Sequence, residues 1–305
     1  MSKYISTNDY MKQVFGRKIY KISINGGFTC PNRDGTLGTE GCIFCSGYGS
    51  GDFSEDAALS VTEQIEKAKV RVEAKMPQRN TVSDVGRYMA YFQAFTNTYA
   101  PVERLRSLYM EAVNHPDIVG ISIATRPDCL PDEVIDLLEE INRIKPVWVE
   151  LGLQTIHAKS TEYIRRGYEL PVYEDAVRRL RGKVSHIITH VILGLPGETR
   201  EDMLESVRYV GGFVENAADG NEFGIKLQLL HVIRGTNLEK DYLAGHFSCM
   251  SMEEYVDLIA DCIEALPENM VIHRITGDGA KNTLVAPMWS ADKKRVLNAL
   301  NKKLR

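Results

Sequence analysis

Three of the chain's six cysteines, Cys30, Cys42 and Cys45, crowd into one glycine-rich stretch with the spacing C-x11-C-x2-C. Thiolates bind soft metals and iron–sulfur clusters. A C-x2-C pair lets two sulfurs grip one centre from a tight turn, and the surrounding glycines let the backbone wrap it. Three local ligands suit a [4Fe–4S] cluster, which then keeps its fourth iron open for a small ligand. Two other readings fit the spacing. Structural zinc wants four closed ligands, so Cys129, Cys249, Cys262 or a distant histidine would have to supply the fourth. Alternatively, the three are free thiols. A second chemical residue is Glu150, between Val149 and Leu151 on an apolar run. A carboxylate buried there needs a partner, either a salt bridge or a bound group.

The elements that must position these residues alternate. Strands are expected at Ile19–Ile24, Tyr88–Phe92, Gly120–Thr125, Val147–Leu153, Ser185–Leu193 and Ile225–Leu230. Helices are expected between them. One begins at the capping box Ser60-Val-Thr-Glu63 and runs to about Met76. Others are opened by Pro101 and by Pro131, since a proline's missing N–H costs nothing at a first helical position. Segments 158–165, 172–181 and 199–214 complete the alternation, and a helix at 251–266, a strand at Val271–Ile275 and a helix from Ser290 follow it. Six βα units predict an α/β fold with a parallel sheet, a partial (β/α)6 TIM-like barrel carrying a short C-terminal α/β extension. An open doubly wound sheet is the alternative. Either places ligands at the carboxyl ends of the strands, where the cysteine loop lies. The expected division is a core at 1–235, with an N-terminal extension 1–18 and a cysteine loop 25–50, and an extension at 236–305.

With 305 residues, 44% hydrophobic and 26% charged, the chain has the balance of a globular protein with a sizeable core. The net charge of −4 argues against coating nucleic acid by charge alone. No apolar stretch has membrane-spanning length, and the first residues carry no apolar signal region. The expected setting is therefore the reducing cytoplasm, with no membrane partner and no disulfide framework.

The ordered motifs resemble radical S-adenosylmethionine (SAM) enzymes, within them the branch of the Elongator catalytic subunit, and more closely a small bacterial family of stand-alone proteins. The likeness rests on the cysteine loop and on Tyr91-Phe-Gln-Ala-Phe-Thr-Asn-Thr98, Thr125-Arg-Pro-Asp128, Glu150-Leu-Gly-Leu-Gln-Thr155, Gly194-Leu-Pro-Gly-Glu198 and His273-Arg-Ile-Thr-Gly-Asp278. The first cysteine gap is longer than the common one of that superfamily, as in the Elongator-like branch. The resemblance implies a [4Fe–4S] cluster on Cys30, Cys42 and Cys45, with SAM chelating the fourth iron. It implies adenine near Phe44, the SAM amino group near Gln93 and Thr96, and SAM contacts from Gln154. It places the SAM carboxylate on Arg166, with Arg165 as the competing candidate, and a guanidinium fork suits both carboxylate oxygens. Gly194 and Pro196 would back the adenine and His190 would reach the ribose. Many relatives carry Glu where this chain has Ala124, so that polar contact is expected either to be lost or to be taken over by Glu150.

The implied chemistry is one-electron cleavage of SAM to methionine and a 5′-deoxyadenosyl radical that abstracts a substrate hydrogen, the cofactor doing the hard chemistry and the protein orienting it. A flavodoxin- or ferredoxin-like one-electron reductant is implied as partner. The Elongator likeness implies tRNA as substrate, with the wobble-uridine side chain as target. The chain is too short to hold an acetyltransferase domain as well, so acetyl transfer is not expected. Residues 165–183 hold six basic and three acidic side chains, and residues 292–305 six and one, patches of the kind phosphate contacts need. His273, Arg274 and Asp278 are the candidate substrate residues. A protein or small metabolite as substrate, and a zinc-stabilised binding protein without catalysis, are the other readings.

Overall fold

The strands are nearly continuous apolar runs because both of their faces are covered, as in parallel sheets packed under helices. In the computed structural model, residues 4–49, 51, 54–74, 86–215, 222–277 and 282–304 are described. The chain runs β1 (Ile5–Ser6), α1 (Thr7–Phe15), β2 (Tyr20–Ile24), α2 (Val61–Glu73), β3 (Tyr88–Phe92), α3 (Val102–Asn114), β4 (Ile118–Thr125), α4 (Asp132–Asn142) and β5 (Val147–Gln154). It continues with α5 (Ala158–Tyr163), α6 (Leu170–Leu180), β6 (His186–Leu193), α7 (Arg200–Glu215), β7 (Glu222–Leu229), β8 (Val232–Ile233) and α8 (Asn237–Leu243). Last come α9 (Met252–Glu264), β9 (Val271–Arg274), β10 (Leu284–Ala286) and α10 (Lys293–Lys303).

The main sheet has the order β1-β9-β7-β6-β5-β4-β3-β2 with every pair parallel. Strands β2 to β7 are the six expected units, side by side in chain order, curled into a partial barrel. Beyond them, β9 joins the same sheet and β1 closes onto β9. Strands β8 and β10 form a small antiparallel pair.

Local chemistry sets the boundaries. Ser60 and Glu63 make the reciprocal capping box at α2. That helix reaches Glu73, and the expected end near Met76 lies outside the described residues. Pro101 and Pro131 stand as N-caps in extended conformation, one residue before their helices. The last helix starts at Lys293 rather than Ser290, because the Asp292 side chain accepts the Arg295 N–H and sets the cap there.

Side chains alternate across the sheet. Ile22, Ala90, Ile121, Val149, Ile187, Ile225 and Ile272 face the helices in the main core. The other face looks into the half-barrel and is layered. Its lowest layer is apolar and aromatic: Met89, Trp148, Ile188 and Val271 pack with Tyr10 and Met11 of α1, which plugs the barrel from below. There the His186 ring stacks on Tyr10 at 4.9 Å and meets His273, Nε2 to Nε2, at 2.7 Å. Gly224 makes room for this pair, since a Cβ there would lie 2.4 Å from the His273 ring.

Candidate functional site

Above the aromatic layer, the inner face turns polar. Glu150, wholly buried, is its hub. Its Oε1 accepts from Lys21 Nζ at 2.8 Å and Ser122 Oγ at 2.7 Å. Its Oε2 accepts from Tyr91 OH at 2.9 Å, pairs with His190 Nε2 at 2.8 Å, and accepts from Lys226 Nζ. Burial alone would push the Glu150 carboxyl up, but Lys21, Lys226 and His190 outweigh it and hold it well below the ordinary carboxylate range. Burial drives Lys226 down to about 7 against the pull of Glu150. Burial and Lys226 together lower His190 to about 4, so its imidazole is neutral at pH 7.

Over this hub opens a cavity of about 290 Å³ at the carboxyl ends of the strands. Its upper wall is the cysteine loop. Main-chain bonds from Cys45 N to Cys42 O and from Gly41 N to Asn32 O tighten the turns, and the Arg33 guanidinium holds the Cys45 and Ser46 carbonyls. All three cysteines line the cavity. Burial, with the adjacent Cys45 sulfur, pushes Cys42 up to about 12, so Cys42 does not ionise unaided. Iron charge would supply the missing compensation, and this donor set fits a cluster.

The expected site residues divide. Phe44, Gln93, Thr96, Glu150, Gln154, Arg166, His190 and Arg274 all line the cavity with the cysteines. Gln154 is held at φ 70° and its Oε1 is buried without a hydrogen-bond partner, an acceptor aimed at something the cavity takes. Phe95 and Arg165, at φ 62° and 56°, also occupy the left-handed region beside the cavity and its cysteines. Such strain concentrates where a site demands it. Arg166 spends Nε and Nη1 on the carbonyls of Tyr168, Leu153 and Thr155, so it also fastens the end of β5. Arg165 instead pairs with Glu40 on the surface.

Three expected residues sit elsewhere. Gly194 and Pro196 are not in the lining; Ile192 and Leu230 form that wall. Leu195 packs with both of them, and the Gly194 N–H is tied to Met203 Sδ, which keeps the turn behind the wall. His273 lies in the aromatic layer beneath, bonded to His186. Asp278 lies outside the described residues. Ala124 is the direct neighbour of Glu150 in the pairing of β4 with β5, so the two positions stand at the same level of the inner face.

Sequence reasoning missed Lys21, Ser122, Lys226, Asn32 and Arg126 as site residues. The first three carried the signal that marked Glu150, a polar side chain within an apolar strand. The basic stretch 165–183 is largely spent: Arg178 and Arg179 pair with Asp175, Arg179 also with Asp132, and Lys183 with Asp136 and Glu139.

Comparison with known proteins agrees with this geometry. Residues 29–210 match the model of the Radical SAM superfamily, and residues 223–305 that of the Radical SAM C-terminal domain. YtqA of Bacillus subtilis is 43% identical over 99% of this chain and 89% of its own length. Elongator complex protein 3 of Schizosaccharomyces pombe is 25% identical over 78% of this chain, which spans 48% of that protein. Among solved structures, the archaeal Elp3 of Methanocaldococcus infernus superposes with TM-score 0.63 and 17% identity, covering 94% of this chain and 64% of that one. Three cysteines over a polar half-barrel, matched to a superfamily model along most of their length, leave one conclusion: the chain belongs to the radical SAM superfamily.

Proposed function

We propose that this chain uses reductive cleavage of SAM to remove a hydrogen atom from the side chain of a wobble uridine in tRNA. A [4Fe–4S] cluster held by Cys30, Cys42 and Cys45 would supply the electron for that cleavage. Phe44, Gln93, Thr96, Gln154 and Arg166 would bind and orient SAM, with the unpaired Gln154 Oε1 the single observation that carries the assignment of this cavity. The Glu150 hub, bonded to side chains of five other strands of the sheet, would brace the inner wall beneath the reacting atoms, and proximity would select the hydrogen taken. Arg274 and Lys226, which line the same cavity, would face the substrate. The Elongator likeness of sequence and fold supports tRNA over a protein or metabolite substrate. A flavodoxin- or ferredoxin-like donor fits the one-electron requirement. No helix among the described residues is long and apolar enough to cross a membrane.

The test is anaerobic reconstitution, reduction, and mass spectrometry of 5′-deoxyadenosine with and without tRNA bearing deuterated wobble-uridine side chains. Cleavage that requires Cys45, and deuterium in the 5′-deoxyadenosine, support the proposal. Cys45→Ala is expected to lose most of its iron and all SAM cleavage. Cleavage of SAM with no deuterium transferred from tRNA overturns the substrate. Tightly bound zinc without iron would overturn the cofactor assignment.

A further inference from the structure

Asn32 lies outside the cavity lining, yet it is buried and its side-chain N–H groups are committed. Its Nδ2 donates to the Arg165 carbonyl at 2.7 Å, with the Arg166 carbonyl at 3.3 Å and Cys42 Sγ at 3.4 Å. The Asn32 main-chain carbonyl accepts the Gly41 N–H at 2.7 Å, immediately before Cys42. The partner segment is shaped to receive it. Arg165 adopts φ 56° and Gly167 φ 81°, and a Cβ on Gly167 would lie 2.8 Å from Asn32 Oδ1. Only a glycine permits that approach. One amide thus joins the middle cysteine of the loop to the turn that carries Arg166.

We propose that Asn32 is a positioning residue for the cluster: it fixes the Cys42 sulfur against the Arg165–Gly167 turn and, through its N–H, makes the cluster easier to reduce. The physical argument is electrostatic. A cluster ligand sulfur carries no proton and becomes more negative when the cluster gains an electron. A hydrogen bond to that sulfur stabilises the reduced form more than the oxidised one and raises the midpoint potential. The Arg126 guanidinium, fixed by its two bonds to Asp128 and also lining the cavity, acts in the same direction. Because Arg166 stands on the same turn, the sulfur side and the SAM side of the cavity share one support.

The inference rests on the cluster assignment, and the experiment separates the two. Asn32→Leu and Asn32→Asp are reconstituted anaerobically beside the wild-type holoenzyme, with iron and sulfide counted per chain. Each is titrated with dithionite against redox mediators, and the reduced cluster is followed by electron paramagnetic resonance. Both variants are expected to hold wild-type iron and to show a more negative midpoint, Asn32→Asp the more so because its carboxylate adds charge and donates nothing. An unchanged midpoint in either iron-loaded variant overturns the inference. If both fold, by unchanged far-ultraviolet circular dichroism, but hold no cluster, Asn32 is an assembly residue and the tuning role falls. Absence of iron from the wild type would overturn the cluster assignment instead.

Discussion

Replacing Glu150 by Gln removes one charge and changes almost no volume, so it isolates the electrostatics of the hub. The carboxylate has no exposed surface and meets Lys21, Ser122, Tyr91, His190 and Lys226. At an effective dielectric constant of about 20, one ion pair at 2.8 Å is worth about 6 kcal/mol before desolvation. Desolvation has already been spent in the folded state, so stranding the buried lysines should cost about 3–5 kcal/mol net. For a chain of this size that lowers the melting temperature by on the order of 10 °C. The pH dependence carries a sign. Glu150 is held below its ordinary range, so its stabilisation is present above that range and is lost only as the pH falls through the depressed folded value. Lys226 titrates at about 7 with the carboxylate beside it, and lower without it. Between those values the folded variant refuses a proton that the unfolded chain takes. The stability gap between wild type and Glu150→Gln should therefore widen as the pH falls from 8 to 6 and close only in strong acid. Thermal and denaturant unfolding of the anaerobic holoenzymes at pH 8, 7 and 6 measures it. A gap under about 1 kcal/mol at pH 6, or one that narrows on the way there, refutes the reasoning.

Gln154→Gly should trade binding for stability. It relieves a left-handed non-glycine backbone, a gain of up to about 1 kcal/mol in melting experiments, and should weaken SAM several-fold by calorimetry. Unaltered SAM affinity would remove Gln154 from the site. Gly224→Ala should destabilise the fold by roughly 1–3 kcal/mol, because its Cβ collides with the His273 and His186 rings. In a double-mutant cycle His273→Ala should recover part of that loss, and strict additivity would show that the rings are not the obstacle.

The six βα units and the cysteine loop were legible in the sequence because each strand is an apolar run bounded by turn residues. Glu150 was legible for the converse reason, as a charge where apolar pattern demands none. Lys226 and Lys21 carried that signal too, but a lysine's long stem makes it unremarkable beside apolar neighbours. Only the folded sheet shows that β2 and β7 aim them at one carboxylate. Gly194 and Pro196 looked like a ligand-facing turn, yet where Leu195 points decides which atoms form the wall. Strand β1 was hidden because two residues have no periodicity to read; β9 was expected as a strand, but only its pairing with β7 shows that it joins the main sheet.

The pairing of Ile5 with Val271 and Ser6 with Ile272 has a consequence for the order in which the molecule is completed. The plug helix α1 is made long before its anchoring neighbour β9. Closing so long a loop is slow compared with forming the neighbouring βα contacts. The cysteine loop and the strands under it can assemble while the lower end of the half-barrel is still unsealed. Sealing from below then becomes the step that gives the reaction cavity its floor.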